Sequence, residues 1–212
     1  MKYIKKNRFF LFLVFLIGNI AYPLFTRDPQ RLGLFSTSIY TCILLSGLYA
    51  FSGEHKFFKI AGAIFFITIA LEWLQFFTEM HILDTIQPLT TSLVLVLLLV
   101  MTLRDVRIAK VVDQNVIFGV VAGYVLIGFV GGLLALSIGR SYPDAFNLPG
   151  IINGPQAVYF SFITMTTLGY GDIIPSIVEA RSLSILLSIV GPMYVAIIVA
   201  LMVGKFAARN DT

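Results

Sequence analysis

Charge is what this sequence has least of. Of 212 residues, 15 are Lys or Arg and 11 are Asp or Glu, 12% in all, about half of the ~25% that an ordinary globular chain devotes to a hydrated surface. Apolar residues make up 58%. That balance excludes a soluble domain, a disordered segment and a nucleic-acid-binding surface. Cysteine is nearly absent too: Cys42 stands alone, so no intrachain disulfide can form, and its apolar neighbours make it read as a small buried hydrophobe. The two histidines, His55 and His81, lie in predicted loops. No His, Cys or carboxylate pair has metal-ligand spacing, and no nucleophile stands beside a base, so nothing points to an enzyme or to a bound cofactor.

Long apolar runs are present instead. Crossing a ~30 Å hydrocarbon layer takes roughly 20 mostly apolar helical residues. Six segments qualify, at about 9–25, 34–51, 60–78, 86–103, 116–139 and 182–204. Pro23, Pro29, Gly53, Pro88 and the stretch from Pro143 to Pro155 mark the connections. Loops rich in Lys and Arg stay cytoplasmic. Lys2, Lys5, Lys6, Arg8, Lys56, Lys59, Arg104, Arg107, Lys110, Lys205 and Arg209 fall on one side, and Arg27, Arg31, Arg140 and Arg181 on the other. Both termini are therefore expected in the cytoplasm of a multi-pass plasma-membrane protein. The basic start followed by an apolar run also resembles a secretory signal, but the run is long and no small-x-small cleavage site follows it.

Between the fifth and sixth runs, Asn153-Gly154-Pro155 reads as a helix start, with a capping residue and an early proline. The helix it opens is too short to span. A helix that enters part way and returns as extended backbone is tolerated at membrane depth only where protein or a watery cavity surrounds it. The returning strand Thr167-Leu168-Gly169-Tyr170-Gly171 carries a dense row of carbonyls, and its two glycines permit dihedrals that aim successive carbonyls at one axis. The C-terminal end of the short helix, near Thr166, would place partial negative charge toward a central cavity. Asp172 would raise the cation concentration at the mouth.

The run Thr167-Leu168-Gly169-Tyr170-Gly171-Asp172 resembles the selectivity-filter signature of potassium channels, with Thr164, Thr166 and Pro175 in matching places. The resemblance covers residues 155–207 strongly and the fifth helix weakly; the first four helices match only in number and topology. It implies an all-α membrane protein of six transmembrane helices, with a re-entrant pore helix and filter between the fifth and sixth, assembled as a homotetramer in the bilayer. It implies potassium as the permeant ion, coordinated at Thr167, Leu168, Gly169 and Tyr170. Leu168 replaces the commoner Val, and its carbonyl, not its side chain, would face the ion. Tyr159 and Phe160 stand where many members have tryptophans, which implies a smaller aromatic cuff around Tyr170. Ile163 replaces the carboxylate that some members pair with the filter Asp. Gly191 falls where members have a hinge in the pore-lining helix, and Pro192 after it invites a kink; close helix packing is the competing reading of Gly191.

The fourth run carries no basic residue, which argues against strong voltage sensing, because each charge moved through the field is worth ~2.3 kcal/mol per 100 mV. Arg104, Arg107 and Lys110 have three-residue spacing but begin where the apolar run ends. They read as an amphipathic linker on the membrane surface, with a weak voltage sensor as the alternative. Glu72 is the only formal charge inside a predicted span. It is expected to be protonated, near the outer interface or bonded to Gln75, with either a structural or a sensing role.

The expected organisation is a four-helix domain at 1–103 resembling a voltage sensor without its charges, a linker at 104–115, a pore domain at 116–207 and a tail at 208–212. No separate regulatory subunit is indicated. A poorly selective cation channel, and a non-conducting or transporter subunit reusing a pore-loop fold, are the alternatives to a potassium channel.

Overall fold

The computed structural model describes residues 8–25, 29–50, 58–78, 81–109 and 112–210. Its elements in chain order are α1 Arg8–Ala21, a single 3-10 turn Tyr22–Leu24, α2 Pro29–Ala50, α3 Phe58–Phe77, α4 His81–Ile108, α5 Gln114–Ser141, α6 Gly154–Met165 and α7 Val178–Asn210. Among the described residues no strand pairs into a sheet. Lys2, Lys5, Lys6, Arg27, His55, Lys56 and Lys110 lie outside the described residues, as do Asp211 and Thr212 of the expected tail.

Three helical stretches, Ile86–Ile108, Gln114–Ser141 and Val178–Lys205, are long and apolar enough to cross a membrane. The apolar stretches Arg8–Leu24, Gly33–Tyr49 and Gly62–Phe77 are shorter. The fourth expected run is extended at both ends. Pro88, expected at a boundary, lies inside α4, near enough to the helix start that the bond it cannot donate falls in the first turns. At the other end α4 continues through Arg104 and Arg107 to Ile108.

The helix thus runs into the stretch expected as a linker, and its end is in contact with other parts of the chain. Asp105 pairs with Arg8 at the start of α1, and the Lys205 ammonium donates to the carbonyls of Val106, Arg107 and Ala109 at 2.7, 2.9 and 2.6 Å. A cation at the end of a helix satisfies carbonyls that have no partner within it and meets the negative end of its dipole. The end of α4 is therefore held by protein contacts. After it, Asp113 accepts from the Val116 N–H and caps α5.

Helix α5 lies between two cores. One is formed with the first four helices, where Phe9, Phe12, Leu44, Leu95 and Leu98 meet Leu126 and Phe129. The other is formed with the segment after it, where Phe146, Phe160, Met165, Leu187 and Tyr194 gather about Ile127 and Leu136. Glycines make the second approach close. A Cβ on Gly132 would stand 2.9 Å from the backbone of Val158, and one on Gly128 would enter the ring of Phe162. Ser161 of α6 donates to the buried carbonyl of Gly128 at 2.7 Å, which joins the two helices at a close approach.

Glu72 is buried between α3 and α4. Its Oε1 accepts from Gln87 Nε2 at 2.7 Å and from Thr91 Oγ1 at 3.2 Å. The two donors stand one turn apart on α4 and so share a face. The partner found is thus on the neighbouring helix, and the expected bond to Gln75 is not the one formed.

Candidate functional site

The segment between α5 and α7 is built from its ends inward. Asn153 and Gln156 form a reciprocal capping box at the start of α6, each side chain accepting from the other's backbone N–H at 3.0 Å. With Pro155 in the first turn, this fixes where the short helix begins. Its far end is closed by Thr166, whose N–H reaches the Phe162 carbonyl and whose hydroxyl donates to the same carbonyl at 2.7 Å.

The chain then turns back on the helix end. Thr167 N–H donates to the Thr164 carbonyl, and the N–H groups of Leu168 and Gly169 both donate to the Ile163 carbonyl, all at 3.0 Å. Positive φ values recur at every second position, at Thr167 (61°), Gly169 (53°) and Gly171 (78°). Alternating the hand of the backbone in this way lets successive carbonyls point to one side, where a regular strand would alternate them. None of the carbonyls from Thr167 to Gly171 accepts a hydrogen bond among the described residues. Thr167 holds positive φ without being a glycine, a conformation that costs an ordinary residue on the order of 1 kcal/mol and persists only where its surroundings impose it. The three N–H bonds to α6 are those surroundings.

After the strand, Asp172 accepts from the Tyr159 hydroxyl at 2.7 Å. That bond holds the carboxyl of Asp172 below its ordinary range and pushes the Tyr159 phenol up to about 12, so the phenol stays a donor. The outgoing chain is fastened to the loop after α5. Asn147 N–H donates to the Ile174 carbonyl at 3.0 Å, Asn147 Oδ1 accepts from the Ile174 N–H, and Ser176 N–H donates to the Ala145 carbonyl at 2.8 Å. Asn147 was not expected to matter. Its only signal in the sequence is a polar residue in a loop of prolines and glycines.

The residues singled out from sequence do not all come together. Thr167 to Asp172 form one exposed strand, with Tyr170 68% exposed. Thr164 and Thr166 close the helix beneath it. The expected cuff of Tyr159 and Phe160 is not formed within the chain. Phe160 is buried against Phe146, ring centroids 5.0 Å apart, and no ring among the described residues pairs with Tyr170. Gly191 packs directly on the helix end, since a Cβ there would lie 2.1 Å from the Met165 carbonyl oxygen. The chain of α7 runs as one helix through Gly191 and Pro192.

Residues 119–208 match the family model described as an ion channel. The matched stretch holds most of α5, the capped α6, the carbonyl strand and nearly all of α7. It points to a channel in a membrane and away from an enzyme. No solved structure matches the chain.

Proposed function

We propose that four copies of this chain surround one axis and form a potassium-selective pore in the plasma membrane, both termini cytoplasmic, through which the ion moves passively. The observation that carries this reading is the strand Thr167–Gly171. Its N–H groups at Thr167, Leu168 and Gly169 are turned to α6 while its carbonyls are left without partners, an arrangement that makes sense where carbonyls replace the water around a cation. Potassium would be held at Thr167, Leu168, Gly169 and Tyr170, with Asp172 at the mouth and Gly171 completing the filter. One strand cannot enclose an ion, so the site is incomplete without other copies.

In this reading six helices cross the bilayer, the shorter ones aided by residues beyond their apolar stretches, and α6 is re-entrant. Gly191 seats the inner helix on the filter-bearing helix, and Pro192 beside it is where the inner helix bends during gating. Glu72, bonded to neutral Gln87 and Thr91, has no basic partner on α4, which supports weak or absent voltage dependence.

Reversal potentials with potassium on one face of a reconstituted bilayer and sodium on the other test selectivity. A potential close to that of potassium alone is expected; equal permeation would replace this reading with a poorly selective cation pore. Gly169→Ala puts a Cβ on a residue with φ of +53° and is expected to abolish selective current. Unchanged flux would overturn the filter assignment.

A further inference from the structure

Two cavities adjoin where the first three helices meet α5 and the start of α6. The narrower, about 390 Å³, is walled almost entirely by apolar groups such as Leu133, Val158 and Phe162. The wider, about 580 Å³, is lined by Glu72, Gln87 and Arg140 among others. Tyr40, Leu133 and Leu136 line both, so the two form one crevice. Arg140, Asn153 and Gly154 put its wide end near the outer ends of α5 and α6.

Two buried polar groups along this crevice are incompletely bonded. Asn19 is 5% exposed and lines the narrow part, and its Nδ2 has no hydrogen-bond partner. An orphaned buried donor costs about 1–3 kcal/mol, so native structures seldom keep one. Glu72 is 4% exposed, and both of its bonds go to Oε1, leaving Oε2 without a donor among the described residues. Water is a poor answer in the narrow part. The volume would hold about a dozen waters, yet each needs 2–4 polar partners and the walls offer few.

We infer that this crevice binds one phospholipid with a primary-ammonium headgroup, its ester carbonyl accepting from Asn19 Nδ2 and its ammonium donating to Glu72. An acyl chain fits the apolar walls of the narrow part. The wide part presents the Glu72 carboxylate beside Gln87, which matches a headgroup ammonium. A quaternary ammonium carries no N–H and leaves Glu72 Oε2 unbonded, so ethanolamine is favoured over choline.

The test uses the full chain purified in detergent, with thermal unfolding and retained lipid measured after adding dioleoyl phosphatidylethanolamine, phosphatidylcholine or phosphatidylglycerol. The ethanolamine lipid is expected to raise the unfolding temperature most and to be retained at one per chain. Glu72→Gln, equal in size, is expected to weaken the ethanolamine lipid about tenfold, as for a lost charged hydrogen bond, and to leave the glycerol lipid unchanged. Asn19→Leu is expected to weaken all three about fivefold, as for a lost neutral one. Equal stabilisation by all three lipids in the parent chain would overturn the proposal. So would an Asn19→Leu chain that is more stable without lipid and gains as much from it as the parent, the behaviour of an empty or water-filled cavity. Should Asn19→Leu not fold, the Glu72→Gln arm decides alone. Neither readout depends on conduction.

Discussion

Helices α5 and α7 are almost equally apolar, with mean hydropathies of 2.3 and 2.5 over their most apolar stretches, yet 67% of that stretch is buried in α5 and 22% in α7. Composition therefore does not explain the difference. Helix α5 finds its partners within the chain, between two cores and against glycine-lined contacts with α6. Helix α7 touches α5 and α6 along one side, through Leu183, Leu187, Tyr194 and Ile198, and leaves Ile185, Ile189, Val195, Ile197 and Val199 uncovered. Lipid alone can cover an apolar face. It cannot pair with the carbonyls of Thr167–Gly171, which lie exposed before α7 begins, and backbone carbonyls left bare in hydrocarbon are costly. The lesson is that an exposed apolar helix means little until the polar backbone beside it is considered, and that backbone asks for further copies of the chain and an aqueous axis.

The sharpest way to break this contrast is at a place where α7 is packed tightly against α6. Gly191→Ala sets a Cβ 2.1 Å from a backbone oxygen of α6, which neither helix can yield without moving the strand above it. A loss of about 2–3 kcal/mol in unfolding of the full chain is expected, together with altered selectivity. Normal stability with normal current would show that α7 is not seated there. A smaller effect is expected from Tyr159→Phe. With the hydroxyl gone, the carboxyl of Asp172 returns upward toward its ordinary value, so protonation from the outside begins at higher pH. As pH falls, current should therefore decline earlier in the variant than in the parent, read from current against external pH; coincident curves would remove Tyr159 from the mouth. Gly204→Ala, on the same helix as Gly191 but with open space around it, is expected to change stability by less than about 1 kcal/mol and toward greater stability, through helix propensity alone. An effect as large as that of Gly191→Ala would reveal a contact that a single chain does not display.

How much of this was legible in the sequence follows from the range of the interactions. The carbonyl strand was legible because its cause is local: two glycines at alternate positions, a capped short helix before them and a proline after. The positive φ of Thr167 was not, since it depends on where the Ile163 and Thr164 carbonyls lie once α6 is formed. Asn153-Gly154-Pro155 could be read as a helix start for the same local reason, though the reciprocal bond from Gln156 was not. Glu72 was visible as a lone charge, but its partners Gln87 and Thr91 belong to another helix and no short-range pattern joins them. The same holds for the end of α4. Arg104, Arg107 and Lys110 look like a surface linker when read along the chain, and only Arg8 and Lys205, each about 97–99 residues away in sequence, show that protein contacts hold that end. The glycines of α5 had a signal, since Gly128 and Gly132 stand one turn apart, though nothing in the sequence said which helix would fill the groove.

The bond from Lys205 to the end of α4 has a mechanical consequence. Its ammonium rests on three carbonyls, but four flexible methylenes join it to α7, so the connection behaves as a tether and not as a strut. It transmits tension and goes slack under compression. Movement of the α4 end away from α7 would draw α7 after it, whereas movement toward α7 would leave that helix where it stood. Any displacement passed on by the first four helices would then be rectified before reaching the Lys205 end of α7. Lys205→Met, which keeps the stem and removes the knot, is the variant in which outward and inward displacements of α4 should become equally ineffective.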